Sequence, residues 1–252
     1  IQEQNSYAGV TNKLLAKKAS KICVAYEGME RFFPKDKIVL TGNPVRQQLL
    51  ETQLTKAEAL RTFGLEPSKK TILIVGGSLG ARTINDSVMA HLDELQNSGV
   101  QVIWQTGKNY FENIKQQLAE KSPMPALKPT DFIADMGAAY RAADLVISRA
   151  GASSISEFCL IGKPVILVPS PNVAEDHQTK NAMALVNRQA AQFVSDAEAP
   201  QKLIPLALST VKNDQILGQL SHNIKLMALR NSAETIANEV FALAEKQANK
   251  KR

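Results

Sequence analysis

The sequence predicts an α/β fold: a doubly wound parallel sheet with helices on both faces. Three observations carry this. Short apolar runs alternate with stretches of helical periodicity along most of the chain. The runs are apolar at nearly every position, as strands covered on both faces are. Two of them, "TILIVGG" (71–77) and "DLVISRAG" (144–151), end in glycine-bearing turns that open helices, where such sheets bind ligands.

In chain order, "KICVAY" (21–26) and "KIVLTG" (37–42) read as strands, and "KTILIVGG" (70–77) is a strand ending on glycines. Ile84, Val88, Leu92 and Leu95 follow at helical spacing and predict one helix. "VQVIWQTG" (100–107) is a strand and "YFENIKQQLAEK" a helix. "TDFI" (130–133) reads as a short strand, "MGAAYRAA" as a short helix and "DLVISRAG" as a strand. "SSISEFCLIG" is a helix closed by Gly162, with Pro164 beyond it. "PVILVPS" (164–170), "HQTKNAMALVNRQ" and "AAQFVSD" give strand, helix and strand. About six strand–helix units thus span Lys70 to Asp196, a Rossmann-like arrangement. Three amphipathic helices close the chain. Their apolar faces are Leu203, Ile204, Ala207, Leu208 and Val211; Leu217, Leu220, Ile224 and Met227; and Ile236, Val240 and Leu243. The tail beyond Gln247 is polar and predicted to fray. A boundary falls near "TGNPVR" (41–46).

Composition excludes several classes. The 252 residues, 44% hydrophobic and 21% charged, are those of an ordinary globular protein. The net charge of +6 is modest, aromatics are 5%, and no basic stripe interleaves with them, which argues against a nucleic-acid groove. Basic surface of this kind suits an anionic substrate or lipid. Cys23 and Cys159 lie in apolar segments without metal spacing, so a reducing cytoplasm fits. No run of about eighteen apolar residues occurs, and no signal peptide. The chain opens without Met on "IQEQNSYAGVTNKLLAKKA" and reads as the interior of a longer protein.

In doubly wound sheets the ligand lies beyond the carboxyl ends of the strands. That selects the loops 42–46, 76–81, 106–109, 133–137, 148–154 and 169–178. "GGSLGA" (76–81) suits an anion at a helix start, but it is neither G-x-G-x-x-G nor a P-loop; otherwise it is a tight turn with Ser78 as helix cap. "SRAGASSISE" (148–157) admits three readings. A serine nucleophile wants a closing glycine and a histidine partner. His91 and His222 fall in helical stretches away from this edge, and no Asp is placed to orient His177. A capping box would pair Ser154 with Glu157. A ligand site would turn the N–H groups of Ala152 to Ser154 toward a diphosphate and Glu157 toward sugar hydroxyls. In "PSPNVAEDHQTKNA", His177, Gln178 and Asn181 suit hydroxyls and amides, or form a solvated loop. Arg46 of "GNPVR" is either a surface side chain or a guanidinium facing phosphate.

Taken together these residues read as a pocket for a nucleoside diphosphate carrying a sugar. The segments "QEQNSYAGVTNKLLAKKA", "TGNPVR", "ILIVGGSLGARTIND", "FIADMGAAYRAADLVISRAGASSISE" and "DHQTKNA" closely resemble the MurG family over about residues 1 to 245. The resemblance implies a GT-B fold and transfer of N-acetylglucosamine from UDP-N-acetylglucosamine to lipid I, an undecaprenyl-diphosphate-linked muramyl peptide. The product is lipid II, made with inversion at the cytoplasmic face of the bacterial inner membrane by a peripheral protein. It implies that Arg46 and Ser78 contact the diphosphate. Ile133 offers backbone groups to uracil, Ala152, Ser153 and Ser154 give N–H groups to phosphate, and Glu157 takes the ribose hydroxyls. His177 and Gln178 face the N-acetylglucosamine, and Asn5 approaches it from the other domain. Residues 1–43 with a returning helix at 233–252 would end the acceptor domain, and 44–232 would form the UDP-sugar domain. The catalytic base and acceptor site would lie in an N-terminal half not among these residues, so this chain alone is expected to bind donor without turning it over. The family commonly reads His-Glu-Gln-Asn where this chain has Gln2-Glu3-Gln4-Asn5. UDP is a leaving group whose charge grows in the transition state. Helix N-termini and Arg46 would stabilise it without a metal, and no D-x-D triad is present, so neither metal nor cofactor is expected.

Three rivals remain. A UDP-N-acetylglucosamine epimerase shares donor and fold. A nicotinamide-dependent oxidoreductase needs an acid after its second strand, where "VIWQTGKNY" has none. A nucleotide-sugar-binding module would not catalyse at all.

Overall fold

Two parallel sheets organise the chain in the computed structural model, which describes residues 1–46, 49 and 53–249. The first has three strands, β1 (Gln2–Glu3), β2 (Ile22–Val24) and β3 (Ile38–Leu40), in that order, with α1 (Val10–Leu15) between β1 and β2. The chain then passes through α2 (Lys56–Thr62) into the second sheet. Its elements are β4 (Thr71–Val75), α3 (Arg82–Ala90), α4 (Leu92–Asn97), β5 (Gln101–Gln105), α5 (Phe111–Ala119), β6 (Leu127–Thr130) and α6 (Met136–Ala142). They continue with β7 (Leu145–Ser148), α7 (Ala152–Ile161), β8 (Val165–Leu167), α8 (His177–Val186) and β9 (Gln192–Phe193). Three helices follow, α9 (Ala199–Val211), α10 (Asp214–Lys225) and α11 (Ser232–Asn249).

The strand order β6-β5-β4-β7-β8-β9 defines the architecture. From β4 the chain winds outward through β5 to β6, then returns to β4 and winds the other way from β7 to β9. The reversal lies between β4 and β7. There the connections leave toward opposite faces and open a crevice.

Each face of this sheet carries its own core. Ile72, Ile74, Trp104 and Ile147 pack with Ile84, Val88, Leu203 and Leu208 on one face. Leu73, Ile103, Val146 and Leu167 pack with Leu60, Tyr140, Phe158 and Leu185 on the other. Trp104 is fully buried, and its indole N–H donates to Asn85 Oδ1 at 3.0 Å, which satisfies the polar atom that so large a ring takes inside. The small sheet packs Ile22, Val24, Met29 and Phe33 against Ala8 and Ala16.

The chain crosses between the sheets twice, at 41–46 and again near 226–232, and the two crossings touch. Gly42 has φ +78°, and a Cβ there would meet Ser232 Oγ at 2.6 Å and Leu229 Cβ at 2.7 Å. Only glycine admits this approach. Burial raises the Cys23 thiol of the small sheet, and Glu239 of α11 acts in the same direction.

Several expectations are corrected. The strand predicted at 130–133 is instead β6 at Leu127–Thr130. Thr130 Oγ1 donates to Phe132 O and Asp131 Oδ1 accepts from Phe132 N, which turns the chain out of the sheet. Pro129 is tolerated because β6 is an edge strand. The single helix drawn through Ile84 and Leu95 breaks at His91 (φ −120°, ψ 27°), although all four apolar residues are buried as expected. The strand at Gln2–Glu3 has no apolar signature and was not predicted; it exists by parallel pairing with Cys23 and Val24. In α11 only Ser232 is buried, and Val240 is 60% exposed, so the predicted apolar face has no core under Val240. The helix runs on to Asn249 instead of fraying after Gln247; residues 250–252 of the predicted returning helix lie outside the described residues.

Candidate functional site

Strand register brings the predicted loops to one edge. Thr130 pairs with Gln105, Gln105 with Val75, Val75 with Ser148, and Ser148 with Leu167, so the strands end in a row. The turns that follow β4 and β7 are therefore neighbours and flank the reversal of strand order.

The β4 turn is built by contact with β5's loop. Gly77 (φ +85°) and Gly80 (φ +89°) are left-handed, and a Cβ on Gly80 would lie 2.2 Å from Thr106 O. Gly107 approaches the same turn: its Cβ would lie 2.1 Å from Gly80 N. Lys108 N donates to Ser78 O at 3.3 Å, which ties the two loops further. Ser78 is exposed and does not cap the helix. The cap position is Ala81, which offers no side-chain acceptor, so the opening N–H groups of α3 are left to an external partner.

The β7 turn differs. Helix α7 starts at Ala152 with Gly151 at the cap, and no side chain caps it. The predicted capping box between Ser154 and Glu157 does not form. Ile155 N already bonds Gly151 O at 3.0 Å, so the helix begins before Ser154 and that serine sits within its first turn. The N–H groups of Ala152, Ser153 and Ser154 are those that no helix satisfies from within.

Glu157 turns elsewhere. Arg46 grips it with two donors, Nε to Oε1 at 3.1 Å and Nη2 to Oε2 at 3.3 Å, and the Tyr140 hydroxyl donates to Oε2 at 3.1 Å. The Glu157 side chain is 9% exposed and that of Arg46 54%. These charge-assisted bonds outweigh a cap hydrogen bond and draw the carboxylate away from the helix start. Tyr140 is buried edge-on against Phe158. Burial, and then the adjacent Glu157 charge, raise its phenol further above the usual range.

Gln178 binds two loops together: its Oε1 accepts from Ala150 N at 3.1 Å and Ser170 N at 2.9 Å. His177 opens α8, with Nε2 3.9 Å from Glu175 Oε2 and Nδ1 buried without a partner. Asn5 reaches this region from the small sheet, its Oδ1 accepting from Asn181 Nδ2 at 3.0 Å; Asn181 Oδ1 in turn accepts from Ser6 N at 2.9 Å. Ile133 is buried in the core, so what it offers outward is backbone. Arg46, Glu157, Asn5 and Gln178 are thus knit into contacts at this edge. Ser78 stands apart from the carboxylate cluster, on the neighbouring turn.

Two residues escaped the sequence reading. Tyr140 lies on an alanine-rich helix whose periodicity marks it as core, and only its polar tip on a buried ring hinted at a partner. Asn43, whose Nδ2 donates to Gln4 O at 3.0 Å and Ser156 Oγ at 3.1 Å, passed as a turn residue. Cys159 is inert: burial pushes its thiol up to about 12.

This sheet, its reversal point and the two helix-opening turns are those of a GT-B glycosyltransferase C-terminal domain. Residues 71–236 match the glycosyltransferase family 28 C-terminal domain. A UDP-N-acetylglucosamine–N-acetylmuramyl-(pentapeptide) pyrophosphoryl-undecaprenol N-acetylglucosamine transferase of Phocaeicola vulgatus is 66% identical over 98% of this chain and 65% of its own. The enzyme of the same name from Parabacteroides distasonis is 63% identical over 98% of this chain and 67% of its own. The crystal structure of Acinetobacter baumannii MurG superposes with a TM-score of 0.75 at 29% identity, covering 96% of this chain and 67% of that one. A Neisseria meningitidis UDP-GlcNAc 2-epimerase shares the fold, with a TM-score of 0.67 at 14% identity, over 91% of this chain and 63% of that one. The chain belongs to the MurG family of glycosyltransferases, and it spans 65% of the length of the first of these curated relatives. Among the described residues no helix is long and apolar enough to cross a membrane.

Proposed function

We propose that these residues form the donor side of an enzyme that transfers N-acetylglucosamine from UDP-N-acetylglucosamine to lipid I, giving lipid II with inversion. The reaction would take place at the cytoplasmic face of the bacterial inner membrane, with the protein bound peripherally. The observation that carries the reading is the pair of uncapped helix starts flanking the reversal of strand order, with Arg46 and Glu157 on their rim. Close relatives bear the name of that activity. In this reading residues 44–232 are the UDP-sugar domain, and residues 1–43 with the returning helix at 233–252 belong to the acceptor domain.

The chemistry follows from the charges. When the glycosidic bond to UDP breaks, negative charge accumulates on the diphosphate. Backbone N–H groups of Ala152, Ser153 and Ser154, the start of α3 beside Ser78, and Arg46 stabilise that charge in place, without reorganising at the moment of reaction. Glu157 accepts from the ribose hydroxyls, and Ile133 offers its backbone to uracil. His177, Gln178 and Asn5 face the sugar. Acceptor recognition and proton removal belong to the whole protein, so the 252-residue chain binds donor and does not transfer.

Calorimetric titration of UDP, UDP-N-acetylglucosamine, TDP and NAD tests this. Preference for the two uridine ligands is expected. NAD binding more tightly would sink the reading, equal affinity for UDP and TDP would remove the uracil role of Ile133, and transfer to lipid I by this chain at the rates of its longer relatives would refute the division of labour. N-acetylmannosamine appearing without acceptor would favour an epimerase.

A further inference from the structure

Glu157 is held by two groups of opposite character. Arg46 approaches from a side chain more than half exposed, and Tyr140 from a ring that is 4% exposed and wedged against Phe158. Together they place donors on both carboxylate oxygens: Arg46 Nε and Nη2 reach Oε1 at 3.1 Å, Nη2 reaches Oε2 at 3.3 Å, and the Tyr140 hydroxyl reaches Oε2 at 3.1 Å. A carboxylate offers about four acceptor positions, and each oxygen already has two donors within reach. A ribose diol brings two more.

We propose that Tyr140 is a positioning residue that holds Glu157 in place for the ribose diol while Arg46 leaves it for the diphosphate. The inference rests on the donor-site reading above. The site holds an ion pair of its own: Arg46 occupies the carboxylate where a ligand's hydroxyls would bind, and Glu157 occupies the guanidinium where its phosphates would bind. A nucleoside diphosphate supplies both replacements at once. Arg46, on a connecting segment and largely solvated, is free to swing. Tyr140 is fixed by packing, so Oε2 stays anchored when Arg46 departs. Oε1 is then released with its orientation defined. Without the phenol, Glu157 would lose its other side-chain donor among the described residues at that moment, and its rotamer would be free. A preoriented acceptor loses less freedom on binding than a free one.

The test compares UDP with 2′,3′-dideoxy-UDP, which keeps the base and diphosphate and lacks the diol. Wild-type protein is expected to prefer UDP by at least about tenfold, the scale of hydrogen bonds to a charged group. In Tyr140→Phe, UDP binding weakens by about tenfold while dideoxy-UDP binding is unchanged, so the preference collapses. Tyr140→Phe/Glu157→Gln binds UDP no more weakly than Glu157→Gln alone. A Tyr140→Phe variant that weakens both ligands equally, or neither, overturns the proposal and leaves the donor reading intact. Wild-type protein that binds UDP without preferring it to the dideoxy form removes Glu157 from the ribose, and the donor reading fails with it. A second measurement needs no variant. On adding UDP, the Tyr140 Cζ resonance is expected to keep the shift of a phenol bonded to carboxylate while the Arg46 Nε resonance moves. A Tyr140 resonance that moves to the free-phenol position overturns the proposal.

Discussion

In the turn after β4, a side chain at Gly80 would lie 2.2 Å from Thr106 O, and φ there is +89°. In the turn after β7, Gly151 has φ −68° and ψ 142°, and a Cβ on it would find Ser154 Oγ as its nearest neighbour, at 3.9 Å. The two turns leave adjacent strands at the same level and look alike in sequence. The first glycine is demanded by the protein, because two loops are pressed together there. No contact among the described residues demands the second. The room it leaves opens onto the start of α7, beside the segment that carries Glu157. A glycine can serve the chain or the ligand, and only the contacts around it tell which.

Substitutions separate the two cases. Gly80→Ala forces a side chain into a carbonyl at a left-handed backbone position, and it is expected to destabilise the fold by at least about 3 kcal/mol. Thermal melting reads this, and an unchanged melting temperature would erase the contrast. Glu157→Gln keeps the shape and removes the charge. UDP affinity should fall by about 2 kcal/mol, while stability changes by less than about 1 kcal/mol because its Arg46 partner is half exposed. The opposite pattern would make the Arg46–Glu157 pair a fold device. Gly151→Ala should cost under about 1 kcal/mol of stability, the difference between Gly and Ala at a helix cap, yet weaken UDP by about 1.4 kcal/mol through lost space. Equal UDP affinity would place the ligand elsewhere.

The smallest effect on UDP affinity lies at the opposite end of the sheet. Burial pushes the Lys163 ammonium down to about 8 from its ordinary value of 10.5. Its charged form is disfavoured in the fold, so between those two values the unfolded chain binds a proton that the folded chain has released. The penalty is full below about 8 and fades as pH rises toward 10.5. Lys163→Met should remove that rise, about 3 kcal/mol over the whole interval, without touching UDP affinity. A UDP effect would tie the two ends of the sheet together.

The legibility of this molecule follows the range of its interactions. Five of the six strands of the main sheet were readable because each carries its own apolar run, and Thr71–Val75 or Leu145–Ser148 would be strands in any parallel sheet; the sixth, Leu127–Thr130, carries Lys128 and Pro129 and was misplaced to 130–133. Their convergence on one edge followed from topology. Gln2–Glu3 was not readable, because its strand character comes wholly from its neighbour β2. The pairing of Ser154 with Glu157 was a true spacing with a false meaning. The helix register was set by Gly151, and the carboxylate was claimed by Arg46, 111 residues away, and by Tyr140, 17 residues away. No local pattern announces partners at such separations.

The contact of Gly42 with Ser232 and Leu229 constrains more than the backbone. Two bodies joined by one length of chain swivel about any axis. Here two lengths run side by side between the sheets and touch where glycine leaves no side chain to hold them apart. Two connections in contact leave the sheets fewer ways to turn against one another than a single connection would. A side chain at position 42 would meet Ser232 and Leu229 and push the two connections apart.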